Sequence, residues 1–433
     1  MDSFRRLLTV SLLFFIGFIP QVKGQGSGYE VIPKPDIWYN DVDGIRLGII
    51  LDGQVPGSFG DGPHRLDAGV WLGLWFPDLP VSYYVSFTEP IAAWSEFSSE
   101  AAIELVSSIR TGYHNHGIGF SKRWQQGFDE RRYIEFSNYN SYQRRFDHEY
   151  AAFPGMWSDN DKVLTSFSLE LQNDNPLGWY HLSAETLFQL QDERYSVVNL
   201  SGRQHIPFNE IWGLRIRAFA GFASSGADPE YLFSRSMMPA IETLGSGFTR
   251  AKGTLPQAWI ESGNMHIGGG ANLRGYTSAD IGNSLTRDCE ACPAAEDVPG
   301  PRLFNSFAAV NMEFDFWNPL TRTLTGMSGI SDFLKFRSYL FMDAGRALSD
   351  SEYGLKVTGT AQDPSASPLP PPTELMADAG AGISLSFNIP DNYGKPRGFV
   401  LRYEVPFWLS EPGEGNDAFD FRSLFGFGAV ISF

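Results

Sequence analysis

The feature that most constrains this chain is a strict two-residue alternation toward its C-terminal end. In residues 376–389 the odd positions carry Ala377, Ala379, Ala381, Ile383, Leu385, Phe387 and Ile389, and the even positions include Asp378, Gly380, Gly382, Ser384, Ser386 and Asn388. Residues 422–433 repeat the rule, with Phe425, Phe427, Ala429, Ile431 and Phe433 on one side and Arg422, Gly426, Gly428 and Ser432 on the other. Period-two patterning puts one face of a strand in an apolar medium and the other in a polar one. Working back along the sequence, alternating segments separated by turn residues recur at 45–51, 65–76, 80–88, 101–112, 114–125, 131–143, 162–172, 179–190, 195–208, 212–224, 256–262, 304–316, 333–345 and 399–408. With the two C-terminal segments these make sixteen expected strands, an even number as in single-chain bacterial outer-membrane barrels.

A soluble sandwich buries its apolar faces in one core, whereas a membrane barrel turns them to lipid and pairs every edge. Three features favour the barrel. The first is an N-terminal Met1-Asp2-Ser3-Phe4-Arg5-Arg6 stretch, an apolar run from Leu7 to Ile19 and small residues after it, which read as a cleaved signal peptide covering 1–24. The second is an aromatic content of 15%, suited to interfacial girdles. The third is a chain that stops on Phe433 inside its last strand. The expected fold is therefore all-β, a 16-stranded antiparallel transmembrane β-barrel of the outer membrane over 45–433, behind a short periplasmic segment at 25–44. Slightly negative mean hydropathy does not oppose this, because only alternate residues of a spanning strand meet lipid.

A net charge of −17 excludes nucleic acid as a natural partner, since that binding needs basic residues to neutralise phosphate. Cys289 and Cys292 form a single CxxC, which in an exported chain reads as a small loop disulfide and supplies too few ligands for structural zinc. No HExxH, GxSxG or P-loop occurs, and the seven histidines lack metal-ligand spacing, with His114 and His116 read as solvated. Neither an enzyme nor a metal or other cofactor is expected, although motif searching alone does not remove a lipid hydrolase with a serine–histidine pair on the rim.

The interior is more informative. Parity turns Lys335, Arg337, Tyr339 and Asp343 inward from one strand, Asn311, Glu313 and Asp315 from another, and Arg402 and Glu404 from a third. With a periplasmic N-terminus, the segment 263–303 falls outside, as does the proline-rich 363–372, whereas 226–255 makes an awkwardly long periplasmic turn. The 263–303 segment carries the glycine-rich run GGGANLRGY at 268–276. Its Arg274 offers a rigid fork of donors that needs an acidic partner away from water, and Asp343 or Glu313 would supply one.

Together, GGGANLRGY, NMEFDFW, FMDAG, AGAGISLSF, VLRYEVPFW and a terminal FGFGAVISF resemble the C-terminal barrel of the BamA-type outer-membrane superfamily, also called the bacterial surface antigen family. The resemblance is strong from Gly268 to Phe433. It implies that a sixth extracellular loop folds inward, its Arg274-Gly275-Tyr276 motif meeting Asp343 and Gly345 of an F-x-D-x-G strand motif. It also implies that Phe433, Ile431 and Phe427 form a C-terminal assembly signal. The function implied is assistance in insertion, secretion or surface display of other proteins. Members carry periplasmic POTRA domains, for which there is no room before Ile45, so a partner subunit is implied: a POTRA-bearing protein, a peptidase or a lipoprotein, in contact with outer-membrane lipid. The opening WYNDVDGIRLG at 38–48 is similar to barrel modules fused behind gluzincin metallopeptidases, which leaves a passive channel or a membrane platform for such a partner as the alternative.

Overall fold

A computed structural model describes residues 30–430 except 55–64, 76–79, 111, 128, 146–149, 152, 159, 210, 246–248, 279–282, 286–297, 301, 321–332, 349–373, 391–395 and 413–416. Its strands are β1 (Glu30–Asn40), β2 (Gly44–Gln54), β3 (Arg65–Gly73), β4 (Val81–Pro90), β5 (Ser99–Arg110), β6 (Tyr113–Gln126), β7 (Asp129–Arg145), β8 (Lys162–Asn175), β9 (Gly178–Gln189), β10 (Ser196–Pro207) and β11 (Gly213–Ala223). They continue with β12 (Met265–Ile267), β13 (Asn283–Leu285), β14 (Val298–Gly300), β15 (Ser306–Phe316), β16 (Leu334–Ala347), β17 (Met376–Pro390), β18 (Pro396–Leu409) and β19 (Leu424–Val430).

Each strand from β1 to β11 pairs antiparallel with the next, β11 pairs with β15, and the ladder runs on to β19. The three residues of β12 lie parallel on β19, matching Met265, His266 and Ile267 to Phe425, Gly426 and Phe427. The sheet thus has 17 strands, not sixteen. Among the described residues β1 pairs with β2 alone, so the sheet is not closed by a β1–β19 ladder.

Three differences from the sequence reading account for the count. Glu30–Asn40, placed before the first strand, forms β1. It was hidden by Pro33 and Pro35, which cannot donate to a ladder and are tolerated in a strand with a free edge. Residues 256–262 do not form a strand: Gln257–Glu261 is a helical turn behind Pro256, with Ile260 buried and Trp259 exposed. With that strand gone, 226–255 is no turn between strands, and 224–305 becomes one connection between the adjacent strands β11 and β15. The short β12 was missed because three residues are too few to show a period.

The alternation itself survives. Val70, Leu105, Ile118, Phe167, Leu182, Leu200, Val310, Leu340 and Ile383 are exposed on one face of the sheet. The opposite face carries most of the charged strand residues and surrounds a buried cluster built mainly by the sheet's own connections, including Tyr150, Trp157, Leu232, Phe233, Met265, Leu273, Tyr276 and Phe304. Leu164 of β8, Val197 of β10, Phe219 of β11, Ala309 of β15, Ala347 of β16, Met376 of β17 and Leu409 of β18 join that same cluster, and Val42 from the β1–β2 turn packs on it. Strands so far apart in the ladder can share one cluster only because the sheet curls around it. Apolar side chains therefore lie both outside the wall and at its centre, with a polar layer between them.

Candidate functional site

The connection 224–305 turns inward and presents Arg274 to the polar face of β15, β16 and β18. Leu273 enters in an extended conformation, and Arg274–Tyr276 make one 3-10 turn, closed by Tyr276 N–H donating to Leu273 O at 3.2 Å. Within that turn Arg274 is 1% exposed, so its charge must be met by protein. Nε and Nη2 donate to the two oxygens of Asp343, each at 2.8 Å, and the Arg274 backbone N–H adds a third bond to the same carboxylate at 3.2 Å. Nη1 donates to Glu404 Oε1 at 2.7 Å and Glu313 Oε1 at 2.9 Å, and the guanidinium lies 3.9 Å from the Phe341 ring centroid. Burial alone would push the guanidinium down; Asp343, Glu404 and Glu313 outweigh it and hold Arg274 well above its ordinary value.

The carboxylates are braced in turn. Asn311 donates to Asp343 Oδ1 at 3.1 Å and to the carbonyls of Ala271 and Asn272, tying strand to loop backbone. Tyr339 donates to Glu404 at 2.7 Å, Arg402 to Glu313 at 3.1 Å and Arg337 to Glu313 at 3.0 Å. Arg337 also engages Asp315, which accepts from Arg215 Nε at 3.1 Å. Buried ion pairs hold only where geometry and further hydrogen bonds satisfy the remaining lone pairs, and here a chain of them crosses β11, β15, β16 and β18.

The two motif glycines are set by contact. A Cβ on Gly275 would stand 2.4 Å from Leu409 Cδ2 and 2.7 Å from Asp378 Cβ. One on Gly345 would meet Ala308 O at 2.8 Å and Leu273 Cδ1 at 2.9 Å. Tyr276 is fully buried, its hydroxyl 3.3 Å from both Ala377 O and Ser410 Oγ. Arg274, Gly275 and Tyr276 thus come together with Asp343, Gly345 and Glu313. Phe427 lies on β19 against Ile267; the side chain of Phe427 and the whole of Ile431, Phe433, Cys289 and Cys292 fall outside the described residues, as does the 1–24 segment.

Parity placed Glu404 inward without revealing that it is the third acceptor of Arg274. Asp378, opposite Asp343 in the β16–β17 ladder, is also inward and fully buried, set against the Asp343 carboxylate and the Gly275 backbone. A second anchor was not foreseen. Glu230 and Asp228, from the start of the connection, meet Arg145 and Lys162 at the facing ends of β7 and β8. Arg145 Nη1 lies 2.8 Å from Glu230, Lys162 Nζ lies 2.8 Å from Asp228 and 3.1 Å from Glu230, and Tyr195 donates to Asp228 at 2.9 Å. Arg145, Lys162 and Glu230 are buried, yet no sequence motif joins residues from such separate segments.

One serine–histidine contact bears on hydrolysis. Ser107 Oγ lies 3.0 Å from His116 Nδ1 on the outward face, so His116 is engaged where it was read as solvated. The next group in the chain is the Tyr83 hydroxyl, 3.1 Å from Ser107. That hydroxyl binds the serine and does nothing to orient the imidazole, which is the task of the third member in a nucleophile–base pair.

No family model matches this chain, and no curated protein matches it in sequence. Among solved structures it is similar to BamA from Haemophilus ducreyi lacking POTRA domains 1–3, at 14% identity and a TM-score of 0.46 over 95% of this chain and 74% of that one. It is also similar to OccK11 (OpdR) of Pseudomonas aeruginosa, at 9% identity and a TM-score of 0.28 over 92% and 91% of the two chains.

Proposed function

We propose that this chain is an outer-membrane β-barrel that assists the insertion, secretion or surface display of other proteins, working with a partner subunit and without catalytic chemistry of its own. The observation that carries the reading is the Arg274 anchor. It fixes a long connection to the wall of β15–β18, next to the seam where, among the described residues, β19 meets β12 and not β1. A barrel that passes or templates another chain needs one weak junction and a rigid wall beside it. Unpaired backbone in hydrocarbon costs several kcal/mol, so such a junction is a place where an incoming strand gains by pairing. Pro33 and Pro35 weaken the β1 side, because neither can donate across the seam. β1 itself is not short, with 11 residues.

The exposed apolar face supports the membrane setting, since so wide an apolar surface is unlike that of a soluble monomer. The cluster filling the curled sheet weighs against a passive open channel.

Affinity isolation of the chain from mild detergent tests the reading. A POTRA-bearing, lipoprotein or similar subunit is expected to co-purify, and depletion of the chain is expected to lower the amount of other outer-membrane proteins. A chain that purifies alone, forms steady ion-conducting pores and leaves those proteins unchanged on depletion is a channel. A co-purifying peptidase with unchanged outer-membrane proteins makes it a platform.

A further inference from the structure

From Ile118 to Trp124 the outward face of β6 is apolar except at Lys122, which stands between Phe120 and Trp124. Lys122 stands opposite Phe136 of β7 in the ladder. Over this row folds the β4–β5 connection, whose Ala92–Trp94 turn sets Trp94 edge-on to Phe120 with centroids 5.8 Å apart. Between them is an open cleft of about 400 Å³ lined by Trp94, Glu96, Phe120, Lys122, Trp124 and Phe136. The Lys122 ammonium donates to Trp94 O and to Ser99 Oγ, the latter at 3.0 Å, and these bonds take two of its three donors. Glu96 is exposed on the rim. A cation and an anion at the mouth of an aromatic cleft ask for a ligand that has both charges at one end and is apolar at the other.

We propose that this cleft binds the headgroup of a zwitterionic phospholipid with a primary amine. The lipid phosphate meets Lys122, its ammonium meets Glu96, and the first acyl carbons lie on Phe120, Phe136 and Trp94. This rests on the membrane-barrel reading. An anionic headgroup without an amine satisfies Lys122 but faces Glu96 with like charge. A choline headgroup has no N–H for Glu96 and would need an open aromatic face. Here Lys122 Nζ already lies 5.5 Å from the Trp124 ring centroid, and Phe120 is occupied by Trp94. Burying the stem of Lys122 along aromatic surface while its head reaches a phosphate also resolves why a lysine stands on a lipid-facing row.

The test uses the full chain purified in detergent and titrated with acyl-brominated lipids bearing ethanolamine, choline or glycerol headgroups. The signal is the quenching of fluorescence assigned to Trp94, taken as wild type minus Trp94→Phe. The ethanolamine lipid is expected to quench at about tenfold lower concentration than the other two, the scale of one hydrogen bond to a charged group. Glu96→Gln is expected to abolish its advantage over the glycerol lipid, and Lys122→Ala to weaken all headgroup-dependent binding, with heat-modifiable migration of both variants unchanged. Equal quenching by the three lipids, or a preference for choline or glycerol, overturns the site while leaving the membrane reading intact. Absence of quenching of any tryptophan overturns the membrane reading and the site with it.

Discussion

At the scale of single residues, Arg274 is the group whose removal has the clearest expected consequence. Arg274→Ala leaves Asp343 buried without its cation and Glu404 and Glu313 each short of one, Arg402 still lying 3.8 Å from Glu404; breaking a buried pair in this way costs about 3–5 kcal/mol. Urea unfolding in detergent is expected to show a loss of that size, with Asp343→Ala similar and the swap Arg274→Asp with Asp343→Arg recovering part of it. An additive swap would mean that the pair is not coupled. Gly275→Ala is a steric counterpart, since a methyl group 2.4 Å from Leu409 Cδ2 has nowhere to go. Overpacking of this kind costs about 1–3 kcal/mol. Asp378 should behave in the opposite way. It is a buried carboxylate set across the ladder from Asp343, a second carboxylate, so Asp378→Asn is expected to leave stability unchanged or raise it. A loss as large as that of Asp343→Ala would show that its contact with the Gly275 backbone outweighs the repulsion from Asp343. Most of this site could be read beforehand, because parity along a strand fixes which side chains share a face. Asp343 and Glu313 followed from that rule, and Arg274 from the glycine-rich run and the resemblance that pairs its motif with the strand. What parity does not give is distance across strands, and so the role of Glu404 and the pairing of Asp378 with Asp343 needed the ladder registers.

At the scale of elements, the connection 224–305 is held at two ends by different chemistry: the Asp228 and Glu230 carboxylates engage strand cations, and the Arg274 guanidinium engages strand carboxylates. Between them lies the Ala240–Thr243 turn, whose Glu242 touches water but is enclosed by the curled sheet. That enclosure pushes its carboxyl up to about 7, against the opposing pull of Arg217 and Arg203 and with a push from Glu185. A raised carboxyl favours the folded connection while protonated, so its contribution is full below the ordinary value of 4.5 and is lost as pH rises through about 7. His266 works in the other direction. Burial lowers its pKa from 6.5, so its contribution is present above that value and fades as pH falls. The difference between wild type and Glu242→Gln separates them: amide exchange across 240–243 is expected to quicken between pH 5 and pH 8 in wild type more than in the variant. Equal acceleration in both would remove Glu242 from the balance. Elements were less legible than faces. In 256–262, Ala258 and Ile260 alternate as in a strand, but Pro256 sets up a helical turn and a single turn buries Ile260 equally well. In β1, the prolines that argue against a central strand are the mark of an edge.

At the scale of the whole molecule, an expected count of sixteen came from one strand too many and two too few, while the alternation that prompted it was real. Counting fails where local rules stop, at the connection that feeds a strand back to the end of the sheet. The same connection decides what the curled sheet can pass. Its Tyr231, Leu232 and Phe233 and the facing Tyr150 and Trp157 fill the interior, and the Glu230 anchor fastens that plug to β7 and β8. Removing the Glu230 carboxylate leaves Arg145 without an ion partner, and Lys162 with Asp228 alone, among the described residues. The wild-type chain in a planar bilayer is accordingly expected to conduct weakly or not at all, and Glu230→Ala to give larger, flickering currents as the plug moves in and out of its seat. Arg274→Ala should add less current, because the segment it anchors lies against the wall next to the seam and its release loosens the edge before it clears the centre. If wild type conducts steadily and Glu230→Ala changes nothing, the interior cluster is not the barrier, and the function belongs to the open pore and not to the seam.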